Sequence, residues 1–139
     1  MRGTVRSPVF LDSGIFIALM SRKDRWHEQA VALFGGPTPK WITSVLVVSE
    51  TYTWFLHRLG EDQARTFRQF IDHLDGLRVL GVKWEHHGAV VRILDQFRGA
   101  KLSYTDASTL AHLEQHQIRL VWSTDYHLGL SGAEVLPRL

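Results

Sequence analysis

Short apolar runs alternate along the chain with longer segments of helical spacing, and this alternation constrains the fold more than any other feature. The runs are Val9-Phe10-Leu11, Lys40-Trp41-Ile42-Thr43, residues 77–82 and residues 119–122, with a weaker fifth at Glu134-Val135-Leu136. They are hydrophobic rather than strictly alternating with polar residues, as strands covered on both faces are. Helices are expected at about residues 15–20, 26–34, 45–59, 61–74, 86–98 and 103–115. In the fifth, Val90, Val91, Ile93, Leu94 and Phe97 recur on one face. Gly35-Gly36-Pro37, Gly60 and Gly99 supply stops, and Ser44 a start. Strands separated by helices imply an α/β fold, a parallel sheet of about five strands flanked by helices in three layers. The 139 residues fit one domain spanning residues 1–139, with no repeat or low-complexity linker.

The chain has no cysteine, which excludes disulfides, thiolate nucleophiles, zinc ribbons and iron–sulfur ligation and leaves oxygen and imidazole as metal ligands. No apolar run reaches the roughly 18 residues of a membrane span, and the first residues lack a signal-peptide pattern, so a cytoplasmic location is expected. The net charge of +2 permits a polyanionic partner without requiring one.

In an open parallel sheet the functional crevice lies at the carboxyl ends of the strands. Asp12 ends the first run and Asp125 follows the fourth, within Val121-Trp122-Ser123-Thr124-Asp125, so both are expected at one sheet edge. Either can also be a turn or cap residue. Asp106 lies in the first turn of a helix, where Ser103-x-x-Asp106 also matches a capping box. Glu50 has Leu46, Val47, Thr53 and Trp54 as its helical neighbours, a largely apolar face, which places it at the rim of the core or buried with a partner. If the four converge, two unit charges about 4 Å apart repel by about 4 kcal/mol at an effective dielectric near 20. A hard cation, Mg²⁺ or Mn²⁺, is the expected compensation.

Four segments, Val-Phe-Leu-Asp12-Ser-Gly, Val-Ser-Glu50-Thr, Leu-Ser-Tyr-Thr-Asp106-Ala and Trp-Ser-Thr-Asp125-Tyr, resemble in order and spacing the acidic motifs of PIN-domain nucleases. Nearly the whole chain is covered, and its size is similar to that of VapC-like ribonuclease toxins of toxin–antitoxin pairs. The resemblance implies a PIN-like sandwich in which Asp12, Glu50, Asp106 and Asp125 are the metal-site and catalytic positions, with Ser13 and Thr124 as supporting polar groups. It further implies RNA as substrate, Mg²⁺ or Mn²⁺ as cofactor, a homodimer and a cognate antitoxin. Many relatives carry another acid soon after the fourth, whereas Tyr126, His127 and Leu128 follow Asp125 here. PIN domains also process RNA outside toxin systems, and that role stays open at this stage.

An acidic centre repels RNA, so cations must gather the backbone around it. Arg22, Lys23, Arg25, Arg98 and Lys101 are the candidates, with ordinary solvated surface as the alternative. Trp26 and Tyr126 are either core residues or stacking partners for bases. His112 and His116, four apart on one helix, are expected on a solvated face, because they point away from Asp106 and lack the HExxH arrangement. His127 is the histidine expected nearest the substrate. Trp54, Phe55, Phe67 and Phe70 are read as core before contact surface. A receiver-type phosphorylation switch shares the clustered acids, yet it needs an acid pair ending the first strand and a lysine near the last, and both are missing here. A ribonuclease-H-like fold would open on antiparallel strands. A non-catalytic RNA-binding module with a degraded site is opposed by the intact acid quartet.

Overall fold

The computed structural model describes residues 6–138. Five strands, β1 (Pro8–Leu11), β2 (Lys40–Ser44), β3 (Arg78–Leu80), β4 (Leu120–Trp122) and β5 (Glu134–Leu136), form one sheet in the order β3-β2-β1-β4-β5. Every pairing is parallel. The helices are α1 (Ser13–Met20), α2 (His27–Gly35), α3 (Val45–Leu59), α4 (Glu61–His73), α5 (Trp84–Gln96) and α6 (Tyr104–Gln115), and a 3₁₀ turn covers Tyr126–Gly129. The expected α/β sandwich is therefore present. The third strand is shorter than its apolar run, and α5 begins two residues before the expected start.

The strand order grows from β1 through β2 to β3 in one direction and from β4 to β5 in the other. Right-handed crossovers then place α1–α4 on one face of the sheet and α5–α6 on the opposite face. The reversal falls between β1 and β4, and a crevice opens outside their carboxyl ends at such a switch point. Leu11 pairs with Trp122 in that register, so the next residues, Asp12 and Ser123, emerge side by side. Ser44 ends β2 and caps α3, its hydroxyl accepting from the Val47 amide at 3.2 Å.

Aromatic packing fixes the α1–α4 layer to the sheet. Phe16 meets Phe67 edge-on at 5.4 Å, Phe55 lies 5.4 Å from Phe67, and Phe34 meets Trp122 at 5.1 Å. Phe55 and Phe67 are fully buried, while Trp54 and Phe70 pack partly buried against them, in keeping with the core reading of all four. Truncating a fully buried phenylalanine such as Phe67 to alanine costs about 3–5 kcal/mol.

One expectation fails in the opposite layer. His112 is not on a solvated face: it is 3% exposed, and every residue from Ala107 to Leu113 is buried. The cause is that α6 packs against the sheet on one side and α5 on the other, so it has little wet face. His112 stacks on His86 at 4.2 Å with an interplanar angle of 18°. His86 Nε2 shares a 2.7 Å hydrogen bond with Ser108 Oγ. Both His112 ring nitrogens lack a partner among the described residues. Burial, helped by neighbouring His86 and His116, pushes the His112 pKa down to about 4, and burial lowers that of His86. His116 remains exposed at the helix end.

Candidate active site

Asp12 stands between β1 and α1, in the N-cap position, yet its side chain makes no cap bond. Its carboxylate instead accepts a 2.7 Å hydrogen bond from Ser123 Oγ, across the β1–β4 pairing. The Asp12 amide donates to Trp122 O at 3.1 Å, which extends the sheet ladder by one step. Asp12 is only 4% exposed. Burial pushes its pKa up to about 7; the Ser123 hydroxyl and the Ser13 amide oppose that shift, and the charges of Asp106 and Glu50 add to it. Asp12 therefore occupies the N-cap position of α1 while its carboxylate is engaged by Ser123 across the sheet.

Glu50 comes from the second turn of α3. It is exposed, the rim alternative of the two its helix face allows: the face runs along the rim of the core, and Val47 below is buried whereas Glu50 is not. Its Oε1 accepts from Ser13 Oγ at 3.1 Å, so the α1 and α3 N-termini are tied at the crevice. Asp106 is half-buried in the first turn of α6, and both halves of its capping box form. Ser103 N donates to Asp106 Oδ2 at 3.2 Å, and the Asp106 amide donates to Ser103 Oγ at 3.0 Å. The box fixes the α6 terminus, and the Asp106 charge still acts on Asp12.

Asp125 is held differently. Its amide donates to Ser123 Oγ at 2.9 Å, while its Oδ1 accepts from the His127 amide and meets His127 Nδ1, both at 3.0 Å. Ser123 thus bridges Asp12 and Asp125, and the His127 ring is drawn toward Asp125. Among the described residues, no three acidic or histidine side chains stand close enough as placed to share one ion.

The supporting residues divide unevenly. Ser13 contacts Glu50, as its position suggested. Thr124 lies against Gly14, where an added Cβ would fall within 3.1 Å of the Thr124 amide nitrogen and clash with its hydroxyl, so Gly14 permits the close approach of α1 to the strand β4 exit. Ser123 and Gly14 were not singled out from the sequence. Ser123 sits one residue before Thr124, and only the β1–β4 register shows that it, and not its neighbour, faces Asp12. The cations Arg22, Lys23, Arg25, Arg98 and Lys101 are all exposed. Arg98 and Lys101 lie in the connection that delivers Ser103 and Asp106. Arg22 and Lys23 follow α1, whose eight residues carry them about 12 Å along the helix from Asp12. The Arg25 guanidinium lies 4.9 Å over the Trp26 ring.

A family profile described as PIN domain matches residues 9–129. The chain belongs to the PIN domain family. Its fold is similar to that of Mycobacterium tuberculosis VapC20, described as a Sarcin-Ricin loop cleaving toxin. The TM-score is 0.83 at 23% identity, over 91% of this chain and 96% of that one. It is also similar to a chain of a toxin–antitoxin complex from Klebsiella pneumoniae, with TM-score 0.68 and 16% identity over 92% and 95% of the two chains. A third similar fold is that of FitAcB from Neisseria gonorrhoeae, with TM-score 0.69 and 16% identity over 91% and 95%. Comparison of the sequence with curated proteins gives no match. Among the described residues, no helix of this PIN domain is long and apolar enough to cross a membrane.

Proposed function

We propose that this PIN domain is a metal-dependent ribonuclease that hydrolyses RNA phosphodiester bonds and serves as the toxin of a toxin–antitoxin pair. The observation that carries the reading is Asp12, a buried carboxylate at the switch point of the sheet, supported by Ser123 and acted on by the charges of Asp106 and Glu50. Burial opposes its charge unless a cation compensates. The surrounding donors are carboxylate and hydroxyl oxygens, which fit Mg²⁺ or Mn²⁺. Asp12, Glu50 and Asp106 would hold the ion directly or through water, and Asp125 would complete the site or orient the attacking water. When bound, such an ion supplies charge neutralisation at the scissile phosphate and makes water nucleophilic near neutral pH.

The protein's part is positioning. Ser123 donates to one Asp12 oxygen and holds the carboxylate at the switch point, and Ser13 donates to one Glu50 oxygen. Arg98 and Lys101 on one side, and Arg22, Lys23 and Arg25 on the other, draw the RNA backbone toward an otherwise repulsive acidic edge. Hydrolysis by external water leaves a 5′-phosphate and a 3′-hydroxyl and does not use the 2′-hydroxyl as nucleophile.

The toxin role is supported by the likeness of the fold to toxins and to chains of toxin–antitoxin complexes. It carries with it a homodimer and an antitoxin segment that covers the acidic groove. The test is incubation of the purified protein with assorted RNAs in Mg²⁺, Mn²⁺ or chelator, with mapping of the cleaved ends. Metal-dependent 5′-phosphate ends, including on a substrate blocked at its 2′-hydroxyl, are expected. Cleavage that persists in chelator and fails on the blocked substrate would contradict the reading. Growth arrest on expression, relieved by a co-expressed partner, separates the toxin role from RNA processing.

A further inference from the structure

Beside the acidic crevice lies a pocket of about 220 Å³, walled by Trp26, Tyr126, Val135 and Pro137 and floored by Ser123 and Thr124. Its floor is the segment that holds Asp12, since Ser123 donates to that carboxylate. Any group seated in the pocket is therefore a near neighbour of whatever is bound at Asp12.

The pocket's outer wall is unusual for a small protein surface. Tyr126 is 70% exposed, a ring that packing against the core does not account for. It is nonetheless fixed in place. His127 stacks on it at 4.6 Å with an interplanar angle of 25°, and His127 is itself anchored through Nδ1 to Asp125 at 3.0 Å. Asp125, His127 and Tyr126 thus form a chain in which the acid orients the imidazole and the imidazole supports the phenol ring. Opposite, Trp26 is partly buried against the core, its backbone amide held by Asp24 Oδ1 at 2.8 Å. The Arg25 guanidinium 4.9 Å above the Trp26 ring supplies a cation beside the pocket. Arg138 at the outer rim is paired with Glu134.

Two aromatic side chains, an apolar wall, a cation with no acidic partner among the described residues and continuity with the proposed phosphate-cleaving site are the elements by which proteins hold unpaired bases. We infer that this pocket is a nucleobase subsite: one base of single-stranded RNA next to the scissile phosphate leaves its stack and seats against Tyr126 and Trp26, while Arg25 meets the adjoining backbone phosphate. The subsite makes Asp125 and His127 positioning residues for the substrate as well as neighbours of the acidic centre. The inference rests on the ribonuclease reading for its substrate, and deepens it by requiring an unpaired base at the cut.

The test uses the full chain carrying Asp12→Asn, so that RNA stays intact, with short single-stranded oligouridine bearing one 2-aminopurine. Binding is expected to quench the 2-aminopurine. Adding Tyr126→Ala is expected to abolish most of the quench and to weaken binding by about 5- to 150-fold, the range of one base–aromatic stack, whereas Tyr126→Phe restores both. In the cleaving protein, an abasic nucleotide beside the cut should raise KM in the wild type and have little further effect in Tyr126→Ala. Melting curves check that the exposed position leaves folding intact. Unchanged binding and quench in Tyr126→Ala, equal abasic penalties in both proteins, or failure of the oligonucleotide to bind would overturn the subsite. Cleavage with no Tyr126 dependence sinks the subsite alone. Tyr126-dependent binding without cleavage in any metal sinks the ribonuclease reading alone.

Discussion

Two buried titratable centres lie on different parts of this PIN domain; burial disfavours the charge of both, raising the Asp12 pKa and lowering that of His112, and their polar surroundings differ. At the carboxyl ends of β1 and β4, Asp12 is nearly inaccessible yet supported by Ser123 and the Ser13 amide, with two further acids acting on it. Between α5 and α6, His112 is equally inaccessible, stacked on His86, and without a hydrogen-bond partner on either nitrogen among the described residues. The first centre has hydrogen-bond donors that favour its charged form; the second has none on its ring among the described residues. Burial of an ionisable group is therefore no mark of a site unless polar neighbours favour its charged form.

The largest expected effect breaks the comparison at Asp12. Asp12→Asn should lower RNA cleavage by at least about 10³-fold, ~4 kcal/mol of transition-state stabilisation, with the fold retained by circular dichroism. His112→Phe should leave cleavage unchanged in the same assay. Next comes the pH dependence of the metal-free protein. The Asp12 pKa is raised from 3.8 to about 7, so the native state binds more protons than the unfolded chain between those values. Stability present below about pH 4 is then lost as pH rises through 7, on the order of a few kcal/mol. Denaturant melts of the wild type should show that slope, and those of Asp12→Asn should not.

A smaller effect sharpens the role of the support. Ser123→Ala should weaken Mn²⁺ binding about 10- to 100-fold by calorimetry, as loss of an orienting partner does, while Thr124→Ala changes it less. The smallest is at the second centre. His112 is lowered from 6.5 to about 4, so the unfolded chain takes up protons first and stability falls as pH drops through that window. His112→Phe should flatten this acid loss by roughly 1–2 kcal/mol in melts between pH 4 and 6.5.

The contrast also marks what the sequence could reveal. Apolar runs ending in acids disclosed the parallel sheet and placed Asp12 and Asp125 at one edge, because strand ends are local features. Asp106 is legible both as a cap and as an acid at the crevice; its capping box forms, and its charge acts on Asp12. For Glu50, helical spacing leaves the rim of the core and its interior equally open, and the residue is exposed beside Ser13. Ser123 went unnoticed because its partner lies 111 residues away, and only the β1–β4 register brings them together. His112 was misplaced for a related reason: the packing of α5 over α6 is a tertiary fact, and the spacing of two histidines on one helix does not contain it. The link from Asp125 through His127 to Tyr126 likewise depends on the 3₁₀ turn, which the sequence pattern did not signal.

The proposed function requires the buried Asp12 carboxylate to be compensated by a divalent cation. It is tested most directly by thermal melting at pH 8 with increasing Mn²⁺, for the wild type and Asp12→Asn side by side. The expected result is a Tm that climbs with Mn²⁺ in the wild type, by the linkage of binding to the native state, and a nearly flat response in Asp12→Asn, which starts from the higher metal-free Tm. Equal Mn²⁺ stabilisation of both proteins, or none of the wild type, would contradict it.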